Sequence, residues 1–202
     1  MTTELNRRNI LKAIGIGTLA GLTFTRTASA ATSTDGTPMQ FVPKTAPDAN
    51  PLDNELSKYT KCPYCGMDRT EWHHSRHLVH YDDDLVDGTC SLHCAAISLS
   101  LNIDRGPKAI YAADFGSSEK IKPLVNVDKV TYLIGSSLPG TMSKTSKMAF
   151  ASADAAKAAQ QGKGGELGDF NAALRQSYLN FADDTVMIRQ RRAERRKKMM
   201  QK

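Results

Sequence analysis

All four cysteines of this 202-residue chain lie in one short window, together with all five of its histidines. The window begins with Cys62-Pro-Tyr-Cys65-Gly-Met67 and ends with Cys90-Ser-Leu-His93-Cys94. Four of the five histidines lie between the cysteine pairs, and His93 lies inside the second pair. Thiolate, thioether and imidazole groups are ligands for soft and borderline metal ions. The spacing predicts a metal site formed by Cys62, Cys65, Met67, Cys90 and Cys94, with His93 as a ligand or a hydrogen-bonding neighbour.

Two alternatives for these cysteines involve no metal. Four cysteines in an exported protein permit three disulfide pairings, although the small ring of a Cys-x-x-Cys pair is usually redox-active rather than structural. A thiol-disulfide oxidoreductase places its Cys-x-x-Cys pair at the start of a helix, which lowers the pKa of the first thiol. Gly66-Met67-Asp68 follows the first pair without apolar periodicity, so no helix is predicted there.

Two metal ions fit the ligand types. The Cys-Pro-x-Cys-Gly pattern is common in zinc ribbons, where a second cysteine pair completes a tetrahedral site. Against zinc, the second pair has a wider spacing, Cys94 falls inside a predicted helix, and zinc does not need Met67. Cu(I) prefers thiolate and thioether ligands, and a weak bond to Met67 suits a carrier that binds and releases its ion. The residues favour a non-enzymatic Cu(I)-binding protein, with zinc as the alternative, and thiolate ligation predicts binding that strengthens with pH.

The elements that position these residues are predicted from periodicity and caps. Strands are expected over residues 76–81, 85–87, 109–113, 129–134 and 147–151. Helices are expected over 92–101, 153–161 and 170–180, with a further helix that starts at Asp183 and runs into the tail. The expected helix caps are Ser91, Ser152 or Asp154, and Asp169. The order of elements predicts an α+β fold with antiparallel sheets.

Other polar motifs have simpler interpretations. The run Asp82-Asp83-Asp84, with Asp87 after it, lacks the central glycine and distal glutamate of a calcium loop, and is interpreted as a solvated hairpin turn. The glycines at 162–165 lack the spacing of a phosphate-binding loop and are interpreted as the end of a helix. No arrangement of serine, histidine and aspartate indicates a hydrolase.

The formal net charge of +6 comes from the two ends of the chain. Residues 31–188 contain 15 Lys and Arg and 19 Asp and Glu, whereas residues 189–202 contain eight basic residues and one acidic residue. An acidic body lacks the positive field that binds phosphates, so nucleic acid is not an expected partner. The basic tail, residues 189–202, is predicted to be solvated or to contact an anionic membrane or an acidic protein surface.

The first thirty residues have the layout of a twin-arginine export signal. Arg7 and Arg8 precede an uncharged, Gly-rich stretch, which is followed by the small-residue site Ala28-Ser29-Ala30. The uncharged stretch is shorter than the roughly 20 residues that span a bilayer. Export to the periplasm is expected, and no cysteine at the cleavage point offers a lipid attachment site, so the protein is not expected to be a lipoprotein.

The first cysteine motif resembles the Cys-x-x-Cys-Gly-Met motif of the NosL family, the accessory proteins of nitrous-oxide reductase. Downstream, the stretch from Tyr132 to Met142 (Tyr-Leu-Ile-Gly-Ser-Ser-Leu-Pro-Gly-Thr-Met) and the stretch from Met148 to Ala156 are similar to that family's second half. There a strand leads to a Gly-x-Met turn, a Phe-containing strand and a helix. The resemblance covers residues 58–182.

This resemblance implies two small strand-strand-helix-strand units and Cu(I) binding. It implies delivery of copper to a periplasmic acceptor or assembly complex, with nitrous-oxide reductase as the candidate client. The site residues that it nominates are Cys62, Cys65, Met67 and Met142, while the pair Cys90 and Cys94 matches less closely. Family members are commonly lipoproteins, so the twin-arginine signal departs from the family pattern. The long basic tail is a second departure from it.

The chain is accordingly expected to have five parts. They are a signal peptide (1–30), a flexible leader (31–57), a Cys/His-rich metal-binding unit (58–105), a second α+β unit (106–182) and a basic helical tail (183–202).

Overall fold

The computed structural model describes residues 45–201, and the expected signal residues Arg7 and Arg8 lie outside this part of the chain. The described helices are α1 (Glu55–Lys58), α2 (Leu92–Leu101), α3 (Ala153–Lys163) and α4 (Phe170–Met200). The described strands are β1 (His77–Tyr81), β2 (Val86–Thr89), β3 (Pro107–Ala113), β4 (Leu124–Asn126), β5 (Thr131–Ile134), β6 (Lys147–Phe150) and β7 (Glu166–Gly168).

The strands form two antiparallel sheets with related connectivity. The first has the order β2-β1-β3-β4, and helix α2 connects β2 to β3. The second has the order β6-β5-β7, and helix α3 connects β6 to β7. Each sheet therefore contains a strand-strand-helix-strand unit with the first strand at its centre, and the α+β prediction is confirmed. Because β3 and β4 belong to the first sheet, the change from one sheet to the other falls between Asn126 and Thr131, not at the expected boundary of 106.

Backbone and side-chain contacts join the two sheets. Asp114, directly after β3, forms a parallel bridge with Ala149 of β6, and the amide of Phe115 donates to the Ala149 carbonyl at 2.7 Å. His77 of β1 bonds the hydroxyl of Tyr132 of β5 at 2.9 Å. Around these contacts lies a continuous apolar core in which both sheets, α2 and α4 take part, formed by Val79, Tyr81, Leu92, Ala95, Ile110, Ala112, Val127, Val130, Tyr132, Ala149 and Ala173.

Helix α4 is one continuous helix, so the prediction of a separate helix from Asp183 is wrong. Asp183 and Asp184 lie inside α4, and no glycine or proline interrupts the sequence around them. Its first half packs against α2, where the Tyr178 hydroxyl donates to the Ala96 carbonyl at 3.2 Å. The buried residues of α4 recur at helical spacing and end early in the helix, at Ala173, Ser177 and Asn180.

The helix caps follow the sequence in two cases of three. The side chain of Ser152 accepts from the amide of Ala155, and that of Asp169 accepts from the amide of Ala172. Ser91 is the residue before α2, but its side chain makes no capping bond. It is buried within the cysteine region, where it lies 3.8 Å from the Cys90 thiol.

Part of the segment expected as a flexible leader is held by specific contacts. The amide of Asp48 donates to the carbonyl of Asp84 at 2.7 Å, and the Thr45 hydroxyl donates to the carbonyl of Val86 at 3.1 Å. The Glu55 carboxylate is buried between two arginines. Residues 45–57 are thus held to the β1–β2 hairpin by hydrogen bonds and, through Glu55, to Arg69 and Arg76 by ion pairs, contacts that composition alone does not reveal.

Candidate metal centre

The first cysteine pair lies in a tight turn, which has no helix after it. The amide of Cys62 donates to the Met67 carbonyl at 2.9 Å, and the amide of Gly66 donates to the Cys62 carbonyl at 2.9 Å. Gly66 has φ +77°, a left-handed conformation that glycine adopts without steric cost. An antiparallel bridge between Lys61 and Asp68 closes the turn. The pair therefore lacks the helix N-terminus that a thioredoxin-like oxidoreductase uses to activate its first thiol.

The second cysteine pair comes from the junction of β2 and α2. Cys90 directly follows the last residue of β2, and Cys94 lies in the first turn of α2. Ser75 holds this junction, because its hydroxyl donates to the Cys90 carbonyl at 2.9 Å. Both thiols are buried, so the pair faces the protein interior and the turn that carries Cys62.

The structure brings the four thiols into one group. The Sγ atoms of Cys62, Cys65, Cys90 and Cys94 all lie within 4.8 Å of one another. Cys65 Sγ is 3.4 Å from Cys90 Sγ, and Cys90 Sγ is 3.8 Å from Cys94 Sγ. Tetrahedral ligation at about 2.3 Å separates sulfur atoms by about 3.8 Å, so the group needs little adjustment to surround one ion. The wider spacing of the second pair therefore does not exclude a four-thiolate site, because a strand end and a helical turn supply it together.

The three buried thiols, Cys62, Cys90 and Cys94, differ in how readily they lose a proton. Hydrogen bonds from Cys90 and Cys94 hold the pKa of Cys62 well below its usual range. The same hydrogen bond with Cys62 raises the pKa of Cys90, and hydrogen bonds with Cys62 and Cys90 raise that of Cys94. Among these three thiols, Cys62 is therefore the first to become a thiolate, and Cys90 and Cys94 ionise when a metal ion replaces their protons.

One side of the thiol group is more open than the other. Cys62, Cys90 and Cys94 are buried, whereas Cys65 is partly exposed. The partly buried side chains that pack against the thiols, within the described residues, are those of Tyr64, Met67 and Trp72. Met67, which the sequence nominates as a thioether ligand, is thus partly buried and packs against the thiols.

Known proteins resemble this chain in sequence and in fold. The family model for NosL matches residues 53–178, which include both cysteine pairs and both sheets. This chain belongs to the NosL family. Among solved structures, the chain is similar to the crystal structure of the copper chaperone NosL from Shewanella denitrificans, with 24% sequence identity and a TM-score of 0.48 over 55% of this chain and 87% of that chain. A comparison with curated proteins found no match.

The methionine that the NosL resemblance nominates in the second unit lies at a surface turn. Met142 has φ +64° and is 41% exposed. The turn around it is tight, because a Cβ on Gly140 would lie 2.1 Å from the Ser143 carbonyl oxygen. Within the described residues, Met142 is not among the side chains that pack against the thiols. Its thioether is therefore presented to solvent, not to the thiol group.

His93 is buried but does not join the four thiols. Its ring packs against Phe181 of α4 at 4.0 Å between centroids. Within the described residues, its Nδ1 atom has no hydrogen-bond partner, and burial lowers the pKa of the ring. It lines a small polar cavity with Thr141, Thr145 and Lys147 of the second unit. His93 is thus next to Cys94 in sequence, but its ring packs against Phe181 and lines the cavity at the second unit.

A buried acid near the thiols is a feature that the sequence did not reveal. The Tyr64 hydroxyl, between the first two cysteines, donates to the Asp87 carboxylate. The Ser98 hydroxyl of α2 donates to the same carboxylate oxygen at 2.7 Å. Burial raises the pKa of Asp87, so it is not part of the solvated turn that its neighbours suggested. This carboxylate joins the first cysteine turn to α2, which carries Cys94.

A buried ion cluster fixes the base of the first cysteine turn. Arg69 is 0% exposed and donates to the carbonyls of Tyr59, His77 and Thr89. Its guanidinium is paired with Glu55 at 2.7 Å, and Glu55 also pairs with Arg76 at 2.8 Å. The turn that presents Cys62 and Cys65 is thus anchored to the first sheet through Arg69.

Proposed function

We propose that this protein binds Cu(I) at Cys62, Cys65, Cys90 and Cys94 and transfers it to an acceptor protein outside the cytoplasm. The convergence of four thiols in one mostly buried group is the observation that carries the proposal. Thiolate ligands select Cu(I) over harder ions. The NosL family membership supports the assignment, and the role is that of a carrier, not an enzyme.

Transfer proceeds by ligand exchange on the open side of the thiol group. Met67 supplies a weak thioether bond beside Cys65, and an incoming thiol, thioether or imidazole from the acceptor replaces it first. The buried thiols of Cys62, Cys90 and Cys94 hold the ion until the acceptor is in place. Met142, which the family resemblance nominates, faces solvent and not the thiols in this structure, so its proposed role as a second thioether is confined to the exchange step with the acceptor.

The cellular location and the client are proposed from the amino-acid sequence and the family, not from the described residues. Arg7 and Arg8, with the small-residue site before Ala31, support export by the twin-arginine route to the periplasm. The acceptor is a periplasmic copper protein or its assembly complex, and nitrous-oxide reductase is the candidate client. In the described residues 45–201, no helix is both long enough and apolar enough to cross a bilayer.

Anaerobic competition for Cu(I) against a chromophoric chelator tests the proposal. The reduced protein should remove stoichiometric Cu(I) from the chelator, and the double variant Cys62→Ser with Cys65→Ser should lose this ability. Met67→Leu should speed release to the chelator, whereas Met199→Leu, at an exposed thioether on α4, should leave release unchanged. Failure of the wild-type protein to compete for Cu(I) would reject the proposal.

A structural zinc site is the second candidate, because four thiolates at tetrahedral separations also suit zinc. In that case zinc remains bound through purification, and its removal unfolds the protein. Metal analysis of the purified protein, followed by circular dichroism after chelation, separates the two functions. A folded metal-free protein that competes for Cu(I) supports the carrier.

A further inference from the structure

The second half of helix α4 extends away from the residues that bury its first half. Asn180 is the last buried residue of α4, and the helix continues for 20 more residues to Met200. At about 1.5 Å per residue, this part is about 30 Å long. It also lies beyond residues 53–178, which the family model matches. We call residues 189–200 the basic extension.

The basic extension has a high positive charge that nothing in the described structure neutralises. It contains five arginines and two lysines against one glutamate, Glu194. These seven cationic side chains are all exposed, and none of them forms an ion pair within the described residues. Like charges stand four residues apart at Arg191 and Arg195 and at Arg192 and Arg196, a spacing that destabilises an isolated helix.

The side-chain pattern favours a lipid surface over a specific protein surface. Between Arg189 and Lys198 the only apolar residue is Ala193, so the extension lacks the apolar core that a stable protein interface needs. Its end carries Met199 and Met200, which are 77% and 88% exposed. Two apolar side chains at the end of a polybasic helix can enter the headgroup region while the cations contact lipid phosphates.

We propose that the basic extension of α4 binds the surface of a membrane that contains anionic phospholipid. Attraction to the anionic lipids offsets the repulsion between the arginines, and the helix becomes more stable when it binds. Each basic residue near such a surface contributes favourably, and salt screens the interaction. The association is therefore reversible and weakens as the salt concentration rises. This proposal does not depend on the identity of the metal.

Vesicle flotation of the exported form, which begins at Ala31, tests the proposal. The probes are vesicles of phosphatidylglycerol with phosphatidylcholine, and vesicles of phosphatidylcholine alone. The wild-type protein should float only with the anionic vesicles at low salt, and its helical circular dichroism should increase there. Replacement of Arg191, Arg192, Arg195 and Arg196 by glutamine should reduce the partition coefficient by about a hundredfold or more.

A matched variant removes the same charge from the body of the protein. Lys120, Lys129, Lys144 and Lys163 are exposed and lie outside α4, and their replacement by glutamine should leave flotation within about threefold of the wild type. Both variants should keep wild-type Cu(I) competition, which separates this test from that of the thiol site. Equal binding to neutral vesicles, or an equal loss in both variants, would refute the proposal. Binding to polyglutamate but not to vesicles would assign the extension to an acidic protein and overturn the lipid assignment.

Discussion

A single glycine in β2 allows the buried arginine to lie against the sheet. A Cβ added to Gly88 would lie 2.6 Å from Tyr59 Cβ and 2.9 Å from Arg69 Cζ. Real contacts are longer than this, so the absence of a side chain makes room for the guanidinium beside β2. A residue without a side chain therefore makes room for the arginine that anchors the first cysteine turn.

Replacement of this glycine should destabilise the protein strongly. Gly88→Ala should reduce the free energy of unfolding by about 2 kcal/mol or more, because Arg69 would have to leave its buried carbonyl partners. Gly162→Ala is the matched control, since Gly162 lies in α3 with no atom within 4 Å of the added Cβ. That change should stabilise the protein by about 0.5–1 kcal/mol. Urea unfolding of both variants measures the difference, and equal effects would contradict this account.

Among the elements, the short helix α1 has a structural role that exceeds its length. Glu55, its first residue, is buried between Arg69, which follows the cysteine turn in the chain, and Arg76, which precedes β1. Arg76 also donates to the carbonyls of His73 and Lys122. One carboxylate therefore connects α1, the cysteine turn and the first sheet.

Removal of this carboxylate should leave two buried cations without a counter-charge. Glu55→Gln should reduce the free energy of unfolding by about 3–5 kcal/mol. Glu71→Gln changes the formal charge equally at an exposed site and should stay within about 0.5 kcal/mol of the wild type. Chemical denaturation gives both values, and a mild effect of Glu55→Gln would show that the arginines are neutralised otherwise.

Elements marked by a long apolar run and a flanking cap residue could be predicted from the sequence, whereas short strands that form only by pairing with a neighbouring strand could not. Helix α2 has the predicted bounds, because an apolar run stands between a serine and Asn102. Strands β4 and β7 have three residues each and lie at sheet edges, so periodicity could not reveal them. The approach of Cys94 to Cys62 also could not be predicted from local sequence, because it depends on tertiary packing. The burial of Asp87 follows from Tyr64 and Ser98, which lie 23 and 11 residues away in the chain.

At the scale of the whole molecule, a neutral histidine links the two sheets. His77 Nδ1 lies 2.9 Å from the Ser75 carbonyl, which can only accept, so Nδ1 donates and Nε2 accepts from the Tyr132 hydroxyl. Burial lowers the pKa of His77 to about 4. The ring is therefore neutral in the folded protein over the whole range in which an exposed histidine titrates.

This linkage predicts a specific loss of stability in acid. Because the folded pKa lies below the ordinary value of 6.5, the unfolded chain takes up the proton first as the pH falls. The stability that the neutral His77 ring contributes is fully present above about pH 6.5, and it decreases by about 3 kcal/mol as the pH falls toward 4. His77→Gln should be less stable near neutral pH, yet lose correspondingly less between about pH 7 and about pH 4. Urea titrations of both proteins give the difference, and parallel pH profiles would disprove the assignment.

Metal binding should stabilise the whole fold, because the thiol group joins the cysteine turn, β2 and α2. Cu(I) buffered at a free concentration of about 100 times the dissociation constant should add about 2.7 kcal/mol to the free energy of unfolding. In anaerobic thermal denaturation, Cu(I) should raise the midpoint of the wild-type protein and leave the midpoint of the double variant Cys62→Ser with Cys65→Ser unchanged. A raised midpoint in that variant would place the ion elsewhere.

The contiguity of each sheet in the chain has a consequence for the order of assembly. All strands of the first sheet lie between residues 77 and 126, and all strands of the second lie between 131 and 168. Pairings of short sequence separation form early, so we expect the first sheet and its four thiols to be in place before the second sheet is complete. Helix α4 then docks last, on the helix that carries Cys94. A newly made chain would thus bring its four cysteine ligands together while its carboxyl-terminal third was still being synthesised.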